Sequence, residues 1–374
     1  MTNQELFYFT GKCLALDENP GFRNEIIRYC QSDLIDWERF VSLCSNHFIL
    51  QVIFLKFRTH DLIRFLPEKL AEHLIEIYNL NKTRNNQILS QIESITGLLN
   101  KNDIFPVYLK GAAYLLDGLF SKIGERILGD IDFWVPEEDY LRTAKILETN
   151  GYLKVNKIFD YEIIEEMKHY PRLYHPDFVA VVEVHRIPVH EELLSWFSLE
   201  QINCERKPVD RHSGCYVLSD RHKIIHNFIH SQLHNEGNLF GLVSLREVYD
   251  LCLLSKRCPL AATLDAIKPK RKAIAYFNLS KTILGLDNTF FSKKNFSGYS
   301  LKKRHALNLN SVLFYKMSGS IIFISQRIFV GYIGLIAEAL FSGKKRQYIR
   351  SRVLDRNWYT NHVKFYSRFF MRNR

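Results

Sequence analysis

No two cysteines in this 374-residue chain stand in Cys-x-x-Cys spacing, and their number, seven, is odd. Cys13, Cys30, Cys44, Cys204, Cys215, Cys252 and Cys258 are scattered along the chain. That spacing fits neither a zinc ribbon nor a disulfide framework, so a reducing, cytoplasmic compartment is expected. The first thirty residues lack a basic start followed by an apolar core and instead hold Asp17, Glu18 and Glu25, which argues against a secretory signal. Internal repeats and low-complexity segments are also missing. Long uncharged runs are scarce: 317–326 and 328–337 are ten residues each, with Arg327 between them. A bilayer span takes about 20 residues, and an arginine at its centre costs about 2.5–3.5 kcal/mol, so a transmembrane helix is not expected. His226, His230 and His234 fall on one helical stripe, but without a His-Glu-x-x-His pattern the stripe is not read as a zinc site.

What is present is ordinary globular composition, 47% hydrophobic and 24% charged, over a length sufficient for two or three domains. The net charge of +11 is unevenly placed. Residues 341–374 hold ten Lys or Arg against one acid, Asp355, and mix them with Trp358, Tyr359, Phe365, Phe369 and Phe370. Such a tail can contact nucleic acid or an anionic membrane surface. The apolar segment leading into it reads either as a core helix or, more sharply, as a helix lying on a membrane; the expected location is cytoplasmic, with peripheral attachment to the membrane's inner face left open.

Three regions follow from the patterning. Residues 1–101 read as helical, with apolar spacing at Leu55, Leu62, Phe65 and Leu66 and again at Leu70, Leu74 and Ile77, and with Pro67 opening a new helix. Lys82, Arg84, Asn85, Asn86 and Gln87 read there as a solvated helix face. Residues 102–203 alternate strands and helices. One helix is expected from Pro136, with Glu137, Glu138 and Asp139 in its first turn, to Thr149, stopping at Asn150-Gly151. Residues 204–374 read as helical again, ending in the basic aromatic tail. The expected fold class is α+β: a small mixed-sheet core flanked by N-terminal and C-terminal helical regions.

The chemistry gathers in the middle. Val107-Tyr108-Leu109-Lys110-Gly111-Ala112 reads as a short buried strand that stops at a glycine and feeds a helix, a junction where a phosphate can sit. In Gly129-Asp130-Ile131-Asp132-Phe133-Trp134-Val135, strand alternation puts Asp130 and Asp132 on one face and Ile131, Phe133 and Val135 on the other. Two carboxylates about 7 Å apart can share a hard cation. Val182-Glu183-Val184-His185 offers a third acid, Glu183, with His185 on the same face. Asp130, Asp132 and Glu183 are therefore the expected metal ligands and catalytic residues, Glu183 as ligand or as base. Lys110, Gly111 and Arg126 are the expected phosphate contacts, with Lys122 an alternative to Arg126, and His185 is expected to orient nucleotide or acceptor.

The order Leu109-Lys110-Gly111, Arg126, Asp130-Ile131-Asp132, Asn150-Gly151-Tyr152 and Val182-Glu183-Val184-His185 resembles the uncharacterised bacterial nucleotidyltransferase family within the polymerase-beta-like superfamily. The likeness extends upstream through Asp36-Trp37, Leu66-Pro67 and the polar helix at 81–91, and downstream through His226, His230 and the run at 245–251. It covers roughly 36–254 and is best between 110 and 185. One departure is Ala112, where the wider superfamily tends to place Gly or Ser. The stretch between Gly111 and Asp130 is also longer than in that superfamily's minimal enzymes.

The resemblance implies a Mg2+- or Mn2+-dependent transferase that moves a nucleoside monophosphate from an NTP such as ATP to an acceptor hydroxyl. A sugar or glycan-linked acceptor in surface-polysaccharide synthesis, an RNA 3′ end and a protein hydroxyl all remain open. So do two other readings: a non-catalytic binding or scaffold protein that keeps the fold, and a toxin or defence enzyme acting on tRNA.

Overall fold

The computed structural model describes residues 1–155, 167–210, 214–286, 296–326, 333–343, 346–347, 349–350 and 360. Most of the basic tail at 341–374, including Trp358, Tyr359, Phe365, Phe369 and Phe370, lies outside them, as do Arg327 and residues 328–332.

Among the described residues seven strands form one mixed sheet: β1 (Val107–Tyr108), β2 (Asp130–Trp134), β3 (Leu153–Lys154), β4 (Leu173–Tyr174), β5 (Val181–His185), β6 (Lys207–Pro208) and β7 (Tyr216–Val217), in the spatial order β3-β4-β5-β2-β1-β7-β6. The two longest strands, β2 and β5, lie parallel at the centre, with Asp132 opposite Glu183 and Trp134 opposite His185. β1 pairs antiparallel with β2 and parallel with β7. The expected α+β class is therefore what the chain adopts, and the sheet takes its last two strands from beyond residue 203.

Five helices position the site: α1 (Glu68–Asn100), α2 (Lys110–Leu116), α3 (Glu137–Thr149), α4 (Asp220–Phe228) and α5 (Leu245–Arg257). α1 begins directly after Pro67, as a first-turn proline allows. α3 starts after Pro136 with three acids in its first turn, where the helix dipole favours negative charge, and closes at Asn150 with Gly151 at φ +91°. A side chain at Gly151 would also meet the His175 ring at 2.7 Å. α4 continues into a π-helical turn, Ile229–His234, which shifts the helical register there.

The inward faces of the strands supply the core. Ile131, Phe133, Val182 and Val184 are fully buried, each burial contributing roughly 1.5–3 kcal/mol. They belong to one hydrophobic cluster that also takes in Phe7, Phe40 and Phe57 from the N-terminal helices and Phe228 and Tyr276 from the C-terminal ones. The helices flanking the sheet thus share its core. Farther on, the helices Val312–Gln326 and Gly334–Phe341 leave Leu313, Ile321, Ile336 and Leu340 exposed. Among the described residues no single helix is long and apolar enough to cross a membrane.

The expected solvated face on α1 is corrected by the structure. Lys82, Asn86 and Gln87 do face solvent, but Asn85 is wholly buried, as is Gln91 one and a half turns later. Asn85 Nδ2 donates to the carbonyls of Ile123 (2.6 Å) and Arg126 (2.8 Å), and Asn81 Nδ2 donates to those of Gly124 (2.9 Å) and Arg126 (3.0 Å). Gln91 holds Ala180 through both its backbone groups, at 2.9 and 3.0 Å. Arg84 reaches the carbonyls of Val179 (3.0 Å) and Gly129 (3.3 Å). These polar side chains satisfy the irregular backbone leading into β2 and β5, which no ladder partner serves.

Candidate active site

Strand periodicity and register together assemble the acidic group. Asp132 is 2% exposed and His185 1% exposed, while Glu183 and Asp130 are half-buried nearer the opening. Because β2 and β5 run parallel with Asp132 opposite Glu183, side chains two residues apart on each strand share one face. Asp132, Glu183 and His185 each present one ligand atom, and all three atoms lie within 4.8 Å of one another. His185 Nε2 is 2.9 Å from Asp132 Oδ1 and 3.6 Å from Glu183 Oε2. Asp130 stands apart from this group and pairs with Arg172, whose Nη2 is 3.3 Å from Asp130 Oδ2 and whose Nε is 3.1 Å from Glu183 Oε1. Relative to the expected metal set, His185 joins Asp132 and Glu183, and Asp130 lies beside them.

Lys110 sits where β1 gives way to α2. The junction is tied to β2 by Leu109 N–H donating to the Asp132 carbonyl at 2.9 Å. Lys110 itself takes φ +50°, the left-handed region that costs a non-glycine residue of order 1–3 kcal/mol. Its Nζ lies 2.6 Å from Asp132 Oδ1.

Burial disfavours every one of these charges, and their mutual pairing decides the outcome. Burial alone would raise the Asp132 carboxyl, but Lys110 and His185 outweigh it and hold it well below the usual carboxylate range. For Lys110 burial is likewise overcome, chiefly by Asp132, so the ammonium is kept. Asp130 goes the other way, raised by burial and by repulsion from Asp132. On the far side of the acids Lys168 is lowered to about 8 by burial and by Lys110. An ionised carboxylate pair backed by an imidazole is a donor set that fits a hard or borderline divalent cation.

Beside the acids lies a pocket of about 180 Å3. Lys110, Asp130 and Asp132 form its sheet wall, and His226, Arg246 and Glu247 stand on the helical wall supplied by α4 and α5. Gly111 and Arg126 line it too, but they are closely engaged with each other: a Cβ at Gly111 would lie 2.4 Å from Arg126 Nη1. The Arg126 guanidinium is committed to Asp250, with Nε 3.0 Å from both carboxylate oxygens and Nη2 2.9 Å from Oδ2. Lys122 is exposed and does not line the pocket. His230 pairs through Nδ1 with Glu247 Oε1 at 3.1 Å, and His234 pairs with His190 at 2.8 Å.

Sequence reasoning missed Arg172, Asp250, Arg246 and the amides of α1. Asp250 and Arg246 lie in the 245–251 run that carried part of the resemblance, but nothing in the spacing marks which of its residues turn inward. A family model described as an uncharacterised nucleotidyltransferase matches residues 33–275. The chain belongs to that family. No curated protein matches it. The nucleotidyltransferase match takes in every strand of the sheet, both walls of the pocket and the whole of α1.

Proposed function

We propose that the protein is a metal-dependent nucleotidyltransferase that transfers a nucleoside monophosphate from an NTP to an acceptor hydroxyl. The observation that carries this reading is the convergence of Asp132, Glu183 and His185 within 4.8 Å on adjacent strands, inside the segment matched by the family. Asp132 and Glu183 would hold Mg2+ or Mn2+, with Asp130 completing the acidic edge. A cation bound there would acidify the acceptor hydroxyl and offset charge developing on the transferred phosphate. Lys110 keeps a fixed positive charge beside that edge and orients the Asp132 carboxylate. His185, buried behind Asp132, holds the two acids in register through Nε2. Gly111 makes room for the Arg126 guanidinium, whose Nη1 lies 2.4 Å from where a Cβ would stand.

Incubation with labelled NTPs and Mg2+ or Mn2+, against separate pools of RNA, protein and sugar phosphate, tests the reading and identifies the acceptor. Label is expected in one pool, with pyrophosphate released, and to vanish in Asp132→Asn and Glu183→Gln. A second reading, a non-catalytic binding protein, draws on the fact that Lys110 and Arg172 already pair with all three carboxylates. Absence of pyrophosphate release with every acceptor, together with partner binding untouched by those substitutions, would establish it instead.

We further propose that the chain contacts anionic lipid; the exposed Leu313, Ile321, Ile336 and Leu340, which precede a tail of net charge +9 from ten cations and one acid, support this. Flotation with phosphatidylserine liposomes should fall when residues 341–374 are removed; equal flotation without them rules that contact out.

A further inference from the structure

Three full cations line the pocket: Lys110, Arg126 and Arg246. Two are already matched, Lys110 by Asp132 at 2.6 Å and Arg126 by the forked contact with Asp250. Glu247, the neighbour of Arg246 in the first turn of α5, is taken by His230. Among the described residues Arg246 has no carboxylate in ion-pair contact, and its buried Nε has no hydrogen-bond partner. What orients it is Phe48, at the turn before the helix Leu50–Thr59, whose ring centre lies 5.1 Å from the guanidinium carbon. Arginine does not lose its charge in a protein. A guanidinium partly removed from water without a counter-ion therefore carries a desolvation cost that an incoming anion would relieve.

We propose that Arg246 grips the polyphosphate chain of the donor nucleotide, the task the sequence suggested for Arg126. This rests on the nucleotidyltransferase reading and names the contact that reading leaves open. The pocket's size agrees, since about 180 Å3 is well under the roughly 300–1,000 Å3 that encloses a whole drug-sized ligand and suits a phosphate chain with the rest of the nucleotide outside. Placement agrees as well, because Arg246 faces the same space as Lys110, Asp130 and Asp132, so a phosphate chain held by it lies against the acidic edge. The guanidinium fork can make two parallel bonds to phosphate oxygens, which an ammonium cannot. Arg126 then becomes a positioning residue. Asp250 lies four residues after Arg246 on the same helix face, so the Arg126–Asp250 pair fixes the rotation of α5 and hence where Arg246 points.

Isothermal titration of the full-length protein with Mg2+ and inorganic tripolyphosphate, then with mono-, di- and triphosphates of each common nucleoside, tests the assignment. Arg246→Gln should weaken tripolyphosphate and NTP binding roughly ten- to a hundredfold and leave monophosphate binding nearly unchanged. Arg246→Lys, which keeps an apolar stem and a charge beside Phe48, should recover part of the loss and covers the case in which the glutamine variant folds poorly. Tripolyphosphate binding equal to wild type in both variants overturns the assignment. A loss equal for mono- and triphosphates, tracking a lowered melting temperature, also overturns it in favour of a packing role. Wild-type protein that binds neither tripolyphosphate nor any NTP sinks the nucleotidyltransferase reading itself, and this inference with it.

Discussion

The strand pair β2–β5 and the helix α1 both bury polar side chains, and they do so to different ends. On the strands the groups are ionisable: Asp132, Glu183 and His185 stand within 4.8 Å of one another, and Asp132 lines a pocket. On α1 they are mainly amides, facing carbonyls at Ile123, Gly124, Arg126 and Ala180. Like charges forced together raise the energy of the free site and are relieved by a ligand, which is how a binding site is recognised. Amides that satisfy backbone groups relieve nothing on binding; they hold the entry segments of two strands where the acids must meet. On the proposed reading one surface carries the chemistry and the other carries its alignment.

The comparison can be broken most sharply at Asp132. Asp132→Asn keeps the shape of the side chain and should lower nucleotidyl transfer by about a hundred- to a thousandfold, the range for removing a group that stabilises transition-state charge; a turnover assay under saturating NTP decides it. Activity within tenfold of wild type would mean the strand acids are not the chemical centre. Next in size is Asn85→Ala, which leaves the Ile123 and Arg126 carbonyls without that donor and should cost about 1–3 kcal/mol in urea unfolding. Because α1 aligns and does not react, its transfer rate at a temperature where it is fully folded should stay within a few-fold of wild type. A rate loss as large as that of Asp132→Asn would put α1 among the reacting groups.

The smallest effect is a pH dependence set away from both surfaces. His47 and His305 pack edge-on against Phe7 at 5.4 and 5.0 Å, and burial lowers each of them to about 4. A folded-state pKa below the unfolded value near 6.5 means the unfolded chain takes up protons first as the pH falls. Stability should therefore be constant above about pH 7 and decline from pH 6.5 toward 4. Thermal melts across that range should show the decline, and it should shrink in His305→Phe; an unchanged slope there would assign the acid limb to other groups.

The acids were legible because strand alternation is local: Asp130, Asp132, Glu183 and His185 can be sorted onto one face with no knowledge of the fold. Helix α3 was legible for a similar reason, since Pro136, its first-turn acids and Asn150-Gly151 act on their own backbone. Arg126 shows where that logic stops. A cation near the acids reads as a phosphate contact, but its partner Asp250 is 124 residues away and belongs to another helix. Asn85 reads as solvated for the same reason, because the carbonyls it serves arrive from positions 38 and 41 residues distant.

By itself, then, the sequence determined which residues could share a face, where elements begin and end, and that an acidic pair stands on a strand with a glycine-ended junction upstream. The tertiary structure alone decided which charges find partners. Short-range sterics and periodicity are fixed by neighbours along the chain, whereas pairing inside a pocket depends on which distant side chains the fold brings into competition within hydrogen-bonding reach. That contest assigned Arg126 to Asp250, Lys110 to Asp132 and Arg172 to Asp130 and Glu183, and it left Arg246 facing the pocket without a counter-charge.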